Sequence, residues 1–339
     1  MSAYTDRESR GEVLVTGAAG FIGGHTVRAC LDAGWSITAL DVREVSEALS
    51  NLVRSDPSGA VLRGPSDDAK VLQDVEAGRY AAVVHQGAIS STLEQDEALL
   101  HESNVRQPLA LAAACAASKS NTTFLYASSH SVYGTISTHI AVVEGAEEDP
   151  KICTGPLNHY ARSKLTLDQQ MVARYGDSFP WLALRYTNVF GTGETHKGSM
   201  ASIISQMLRR AAQDEPLTVF ADTLEAHRDY VPVENVTSTI LRALNHPMPS
   251  GVYNLGSGVP VSFATILAWC VEFAGGDGVD VRLVPNPVSD RYQYWTCANT
   301  TRLDRALPGR PQLTLEDIRK VAGQLFSHFA AAQQNLDGV

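Results

Sequence analysis

The chain has 339 residues, 44% of them apolar and 19% charged, and a formal charge of −10. That length fits one large domain or two closely joined ones, and the composition is ordinary for a globular protein. The acidic balance excludes nucleic acid and anionic membranes as bulk partners, and any anionic ligand needs local Arg or Lys against the global field.

Five cysteines are present, Cys30, Cys115, Cys153, Cys270 and Cys297, an odd number with no CxxC spacing. This argues against a disulfide framework or a structural zinc site and makes a reducing cytoplasm the expected compartment. Met1 to Arg10 is polar and mixed in charge, unlike a signal peptide. The longest apolar stretch, Leu109 to Ala117, is about half of the ~20 residues a membrane span needs and reads as a buried helix.

In chain order, Val13 to Thr16 reads as a strand, followed by a glycine loop and a helix from Phe21 to Ala33 that ends at Gly34. Ser36 to Leu40 reads as a second strand closing on Asp41, and Val61-Leu62 as a third. Tyr80 to His85 and Thr123 to Ser128 read as buried strands flanking a long helix from Glu94 to Ser118. Tyr160 to Tyr175 reads as a helix and Trp181 to Tyr186 as a strand. Apolar strands alternating with helices indicate a parallel sheet covered on both faces.

After Gly191 a polar loop leads into short mixed elements with prolines at 285, 287, 308 and 311. Tyr230 to Asn235 and Val252 to Leu255 look like segments returning to the main sheet. The expected architecture is α/β: a Rossmann-type doubly wound parallel sheet with a smaller mixed α/β C-terminal substrate domain. The expected division is 1–190 for the first domain, with 229–258 returning to it, and 191–228 plus 259–339 for the second.

Gly17-Ala-Ala-Gly20-Phe-Ile-Gly23 lies between a strand and a helix. Glycines there permit a tight turn and close approach of a pyrophosphate, and the helix start supplies amide donors. A glycine pattern alone is weak evidence, but an acid, Asp41, ends the next strand, where it can bind the adenosine ribose. Its carboxylate repels a 2′-phosphate and favours NAD; Arg43, two residues on, keeps NADP as the alternative.

Tyr160-Ala-Arg-Ser-Lys164 puts Tyr and Lys on one helix face. A tyrosine of pKa ~10 is a poor base at neutral pH, and a neighbouring lysine cation together with an oxidised nicotinamide favours phenolate. A shift of about three units needs roughly 4 kcal/mol of differential stabilisation. Tyr160 then takes a hydroxyl proton as hydride leaves for the cofactor. Ser129 falls at a strand end, where α/β sheets place ligands, and is read as a hydrogen-bond donor to the reacting oxygen or as a turn-capping serine.

The loop, Ser129, Tyr160 and Lys164 together resemble the extended short-chain dehydrogenase/reductase family of NAD-dependent epimerases and dehydratases, and within it most of all the ADP-L-glycero-D-manno-heptose 6-epimerases. The specific segments are His85 to Thr92, Phe124 to Ser129, Pro156 to Asn158, Arg185 to Val189, His196 to Ser202, and Arg291 to Gln293. The resemblance implies oxidation of one sugar carbon to a ketone and re-reduction on the opposite face, with Tyr160 and Lys197 as the two proton carriers. On the residues alone, Lys197 in its glycine-rich loop reads as a proton carrier, a phosphate anchor or a solvated side chain.

The resemblance further implies cofactor contacts from Phe21, Ile22, Gln86, Gly87, Ala88, Ser90, Asn104 and Val189, beside Gly17, Gly20, Gly23, Asp41, Tyr160 and Lys164. It implies substrate contacts from Ser91, Ser129, Asn188, Lys197, Ser199, Phe220, Arg228 and Tyr292. Arg228 is the candidate diphosphate clamp, since guanidinium binds phosphate bidentately; a structural salt bridge to Asp229 or another acid is its bland alternative. The implied partner is a nucleotide-diphosphate sugar, the cofactor is tightly held, and a homo-oligomer is expected; no metal is implied.

His130, His159, Gln206 and the stretch Phe220 to Thr223 depart from the heptose enzymes' pattern. Competing readings are therefore an epimerase of another nucleotide-sugar (GDP-mannose-like at C3 or C5, or at C4), a 4,6-dehydratase, or a non-catalytic cofactor sensor. A dehydratase places Asp-Glu where this chain has His130-Ser131, and a sensor needs none of Ser129, Tyr160 and Lys164.

Overall fold

The computed structural model describes residues 10–137, 139–276, 279–287, 289 and 292–337. Arg291 and, of the Met1 to Arg10 stretch, Met1 to Ser9 lie outside the described residues. The elements are β1 (Glu12–Thr16), α1 (Phe21–Asp32), β2 (Ser36–Asp41), α2 (Glu47–Arg54), β3 (Ala60–Arg63), α3 (Ala69–Glu76) and β4 (Ala82–His85). There follow α4 (Glu97–His101), α5 (Gln107–Ala116), β5 (Thr123–Ser129), α6 (His159–Tyr175), β6 (Trp181–Tyr186) and β7 (Asn188–Phe190). The chain closes with α7 (Ile203–Ala212), β8 (Leu217–Phe220), β9 (His227–Pro232), α8 (Val233–Asn245), β10 (Gly251–Leu255), β11 (Pro260–Ser262), α9 (Phe263–Phe273), β12 (Val281–Val284), α10 (Thr301–Ala306) and α11 (Leu315–Asp337).

Seven strands form one sheet in the order β10-β6-β5-β4-β1-β2-β3. Every register resolved in it is parallel, with Val13 opposite both Ile37 and Ala82. The order reverses at β1, and β1 and β4 both end at the glycine loop's side of the sheet. In a doubly wound sheet that is the crevice where a dinucleotide docks. The sheet and the smaller mixed sheets beyond it make this the Rossmann-type α/β architecture expected from the sequence.

Two compact units divide the chain. The first comprises residues up to 128 with 158–184 and 237–253; the second comprises 129–157, 185–236 and 254 onward. Each has its own core. In the first, Leu14, Val83, Phe124, Tyr126 and Trp181 are buried with Ala112 and Leu167 from the covering helices. In the second, Ile204, Leu208, Tyr230, Ile266, Trp269 and Leu325 pack together. Of the two segments expected to return to the main sheet, β10 does so. β9 instead pairs antiparallel with β11 and parallel with β7 in a separate three-stranded sheet. Sequence alone gave no register, and the β9 run, buried along its length, suits either sheet.

The helix read over Glu94 to Ser118 contains a π-turn at Glu102–Arg106, between α4 and α5. Such turns are frequent at functional sites, and this one carries Asn104. Among the described residues no helix is long and apolar enough to cross a membrane, and no cluster of His, Cys, Asp or Glu is arranged to hold a metal. All five cysteines are buried free thiols.

Candidate active site

The glycine loop is shaped by close contact of backbone with backbone. Gly17 has φ +71°, and a Cβ there would sit 2.5 Å from the Gly87 nitrogen. A Cβ on Gly23 would sit 1.9 Å from the Gly17 carbonyl oxygen. The Gly20 amide closes the turn onto that same oxygen at 2.9 Å, and Gly20 becomes the N-cap of α1 with no side chain over the helix end. A helix start without a side-chain cap suits a pyrophosphate. Phe21 is buried and meets His25 edge-on, while Ile22 accepts the Thr26 hydroxyl at 2.8 Å.

Asp41 ends β2 almost fully buried. Its two oxygens accept from the Ala19 amide at 3.0 Å and the Arg43 amide at 2.9 Å. The carboxylate is therefore fixed over the glycine loop, with Arg43 Nε 3.6 Å away. On the other side, the Thr16 hydroxyl and His85 Nδ1 lie 2.7 Å apart and tie β1 to β4. After β4 the chain runs through Gln86, Gly87, Ala88 and Ser90, and the Gln86 amide donates to Thr16. Asn104 holds this segment by accepting from the Ile89 amide and donating to its carbonyl, both at 2.9 Å. These features fit a dinucleotide: glycines that leave room for one, a helix start without a side-chain cap, and an acid fixed at the end of β2.

Asn158 caps α6 by accepting the Ala161 amide at 2.8 Å, a contact of the kind that stabilises helices by about 1 kcal/mol. Tyr160 consequently falls in the first turn, where the unsatisfied helix amides favour negative charge. One turn on, Lys164 is 2% exposed and donates to the Ala127 carbonyl at 2.8 Å. Burial pulls its amine down to about 8, opposed by the charge of Asp168. Asn104 Nδ2 donates to Ser163 Oγ at 3.0 Å, and Ser163 donates to the Tyr160 carbonyl at 2.7 Å. The π-turn and α6 are thereby locked together behind Tyr160.

Sequence reasoning missed Asp168. It is buried and accepts from Tyr126 Oη at 3.0 Å and Ser128 Oγ at 2.9 Å. Its signal was available, since Asp168 follows Lys164 by four residues on the same helix face.

In the second unit, Ser129 Oγ accepts the Ser131 amide at 3.2 Å and lies 2.8 Å from Ser131 Oγ. It caps the 3₁₀ turn His130–Tyr133, so the capping role weighed for it is realised. His130 is buried against Tyr133, with neither ring nitrogen hydrogen-bonded. Burial, with the Arg185 and Arg228 charges behind it, pushes its imidazole down to about 3. The Cys297 backbone acts in the other direction, although it does not meet hydrogen-bond geometry to the ring. Beneath the turn, Arg185 pairs with Glu147 at 2.6 Å and donates to Tyr133 Oη at 3.0 Å, and Tyr133 donates to Asn254 at 2.7 Å.

Arg228, Phe220 and Tyr292 come together. The Arg228 guanidinium lies 5.2 Å from the Tyr292 ring centre and 5.6 Å from that of Phe263, and Phe220 meets Tyr292 edge-on at 6.2 Å. Burial depresses the guanidinium's proton affinity. Its hydrogen bond is to the His227 carbonyl at 3.1 Å, and it pairs with no acid among the described residues. Asp229, the bland partner considered for it, instead accepts from Ser257, Gly258, Ala298 and Thr187. Asn188 and Val189 lie on β7, opposite Tyr230 and Val231, and Asn188 Nδ2 donates to the Asp229 carbonyl at 3.1 Å. Ser91 accepts the Leu93 amide at 3.2 Å. Lys197 is tied to Glu194 at 3.1 Å on the 3₁₀ turn Thr195–Met200. The backbone kinks at Gly198 (φ +55°), and Ser199 follows the kink with its side chain outside the described residues.

Solved structures of similar shape cover almost all of the chain. The ADP-L-glycero-D-manno-heptose-6-epimerase of Helicobacter pylori matches with TM-score 0.80 and 26% identity over 97% of this chain and 100% of its own. The UDP-glucose 4-epimerase of Thermotoga maritima, solved with UDP-glucose, matches at 0.75 and 22% over 94% and 99%. The dTDP-glucose 4,6-dehydratase of Bacillus anthracis, solved with NAD, matches at 0.76 and 19% over 94% and 97%. At those lower identities the last two speak for the fold. The model of the NAD dependent epimerase/dehydratase family matches residues 13–256, which carry the glycine loop, Asp41, Ser129 and the Tyr160–Lys164 pair. The chain belongs to the NAD-dependent epimerase/dehydratase family.

Proposed function

We propose that the protein is a nucleotide-sugar epimerase acting on an ADP-heptose-like substrate by transient oxidation and re-reduction at a single carbon. The observation that carries this reading is that the chain offers two candidate proton carriers in separate settings: Tyr160 in the first turn of α6, with its backbone carbonyl accepting the Ser163 hydroxyl, and Lys197, with its amine paired to Glu194. Two such carriers, one for each orientation of the ketone, suit inversion at a single carbon.

Bound NAD supplies a hydride acceptor that later returns the hydride. Gly17, Gly20 and Gly23 leave room for its pyrophosphate, and Asp41 receives its adenosine ribose. Tyr160, in the first turn of α6, takes the proton of the sugar hydroxyl. Lys164 supplies a nearby cation that favours the phenolate, with Asp168 opposing the cost of burying it. Ser129 hydrogen-bonds the reacting oxygen. Lys197 carries the proton on the other face. Arg228 binds the diphosphate, whose charge compensates a buried cation that has no acid partner.

The heptose is favoured by the 26% identical relative and by the segment His196 to Ser202. A 4,6-dehydratase needs an acid to expel water, and a buried imidazole pushed down to about 3 is neutral at working pH. The test is proton NMR of ADP-glycero-manno-heptose incubated with the enzyme in D2O without added cofactor. Epimerisation without deuterium at the inverted carbon is expected. Deuterium there means proton abstraction next to a ketone and overturns direct inversion. No reaction overturns the heptose assignment and directs the same assay to GDP-mannose and other nucleotide-sugars.

A further inference from the structure

Glu194, two residues into the Thr192–Ser202 loop, was not among the residues singled out by sequence. Its side chain is 1% exposed, whereas that of Lys197, three residues on, is 27% exposed. One carboxylate oxygen accepts from Lys197 Nζ at 3.1 Å and the Ser202 amide at 2.7 Å. The other accepts from Ser202 Oγ at 2.9 Å and Ser205 Oγ at 2.6 Å. Ser202 is the N-cap of α7, so the carboxylate sits at a helix start, where amides favour an anion. A buried carboxylate is costly unless it is fully hydrogen-bonded, and this one is. Four donors on a single side chain fix the lysine-bearing turn to a rigid helix. Lys197 is thereby held by a group anchored in the core of its unit, unlike a lysine on a free loop, whose long side chain samples many rotamers.

We propose that Glu194 is a positioning residue for Lys197, indexing the ammonium for proton transfer on one face of the sugar. This rests on the role proposed for Lys197 above. In the return step the sugar carbon regains the hydride held by the bound cofactor. A Lys197 N–H bond breaks, its electron pair stays on nitrogen, and the proton forms the new O–H bond on the former carbonyl oxygen. Glu194 holds the ammonium in place and takes no part in the proton transfer itself. In the opposite direction the neutral amine takes the proton back at the same atom.

The test has two arms. The first needs no substrate: the full-length protein is treated with limiting acetic anhydride at fixed pH, and acetylation of each lysine is read by peptide mass spectrometry. Glu194→Gln is expected to raise labelling of Lys197 severalfold relative to the other lysines, while Ser205→Ala, which removes a contact but no charge, leaves it near wild type. Unchanged labelling in Glu194→Gln overturns the proposal. The second arm uses the holoenzyme. Glu194→Gln is expected to lower kcat by about 10²-fold, within the range of general acid–base effects, with KM unchanged. Glu194→Asp recovers part of the loss, and Glu194→Gln adds nothing further on a Lys197→Gln background. Single-turnover oxidation of the epimer served by Tyr160, followed at 340 nm, is expected to be retained. Equal loss for both epimers marks a general structural role and overturns the proposal. A wild-type enzyme inert towards the heptose sinks the substrate reading instead, and the labelling arm still decides whether Glu194 holds Lys197.

Discussion

The glycine loop of the first unit and the Arg228 region of the second prepare for a ligand by opposite physical means. The loop uses backbone: Gly17 and Gly23 allow main chain to approach main chain, and α1 starts without a side-chain cap. The Arg228 region uses buried charge: a guanidinium between aromatic rings, with its neighbour Asp229 engaged by four other residues. The first device is a matter of steric fit and carries no buried charge. The second holds a cation that pairs with no acid among the described residues, which costs the fold stability. On the proposed function, an anionic substrate at Arg228 would relieve that cost, while the glycine loop would receive the cofactor.

The largest effect expected is on chemistry. Tyr160→Phe should lower turnover by about 10³-fold, the scale of a lost general acid–base group, while the purified protein still carries its cofactor. Turnover within a few-fold of wild type would remove Tyr160 from the mechanism.

Two neighbouring glycines of α1 sharpen the claim about backbone. Gly23→Ala places a methyl 1.9 Å from the Gly17 carbonyl oxygen and should cost about 3 kcal/mol and most of the bound cofactor. At Gly24 the nearest atom to such a methyl is at 3.5 Å, so Gly24→Ala should stabilise by about 0.5–1 kcal/mol, as expected for alanine over glycine within a helix. Thermal melts and the absorbance of co-purified cofactor read both. Equal behaviour of the two variants would mean that close packing of the loop does not matter.

Arg228→Met tests the other side of the comparison. Removing a buried cation without an acid partner should leave the ligand-free protein as stable as wild type or about 1 kcal/mol more stable. Affinity for the nucleotide-sugar should fall about 10–100-fold, as for loss of a charge-assisted phosphate contact. Calorimetric binding and a denaturant melt separate the two. A variant that binds normally but unfolds easily would make Arg228 a structural residue.

The difference between the two regions also governs what could be read from sequence. Gly17 to Gly23 span seven residues, Tyr160 and Lys164 are four apart, and the cap Asn158 is two before Tyr160. Chemistry that depends on one turn of helix or one loop is written locally. The state of Arg228 is not, because it depends on where Asp229 sends its carboxylate, and those partners lie 28 to 69 residues away in the chain, on either side of it. The pairing of β9 with β7 and β11 was likewise hidden, since a strand buried along its length fits more than one sheet. Glu194 stood within the polar loop after Gly191, but nothing local distinguishes a solvated glutamate from one that four donors enclose. The π-turn at Glu102–Arg106 was read as ordinary helix because it leaves the apolar pattern nearly intact.

The smallest expected effect concerns pH, and it connects the two regions through a shared feature. His85 beside the glycine loop and His130 beside Ser129 are both buried and both pushed down to about 3, burial being the main cause. The unfolded chain binds a proton at each imidazole below about pH 6.5, whereas the folded chain does not until the pH approaches 3. Between those values the unfolded state holds more protons, so stability falls as the medium is acidified. Each histidine contributes a slope of about 1.4 kcal/mol per pH unit in that window. His130→Phe removes one titrating group while keeping an aromatic ring against Tyr133. Relative to wild type, its unfolding free energy should therefore gain about 1 kcal/mol between pH 7 and pH 5.5. Urea melts across that range read the difference. Parallel curves for the two proteins would show that His130 becomes protonated in the folded state, with solvent or a carbonyl such as that of Cys297 reaching the ring.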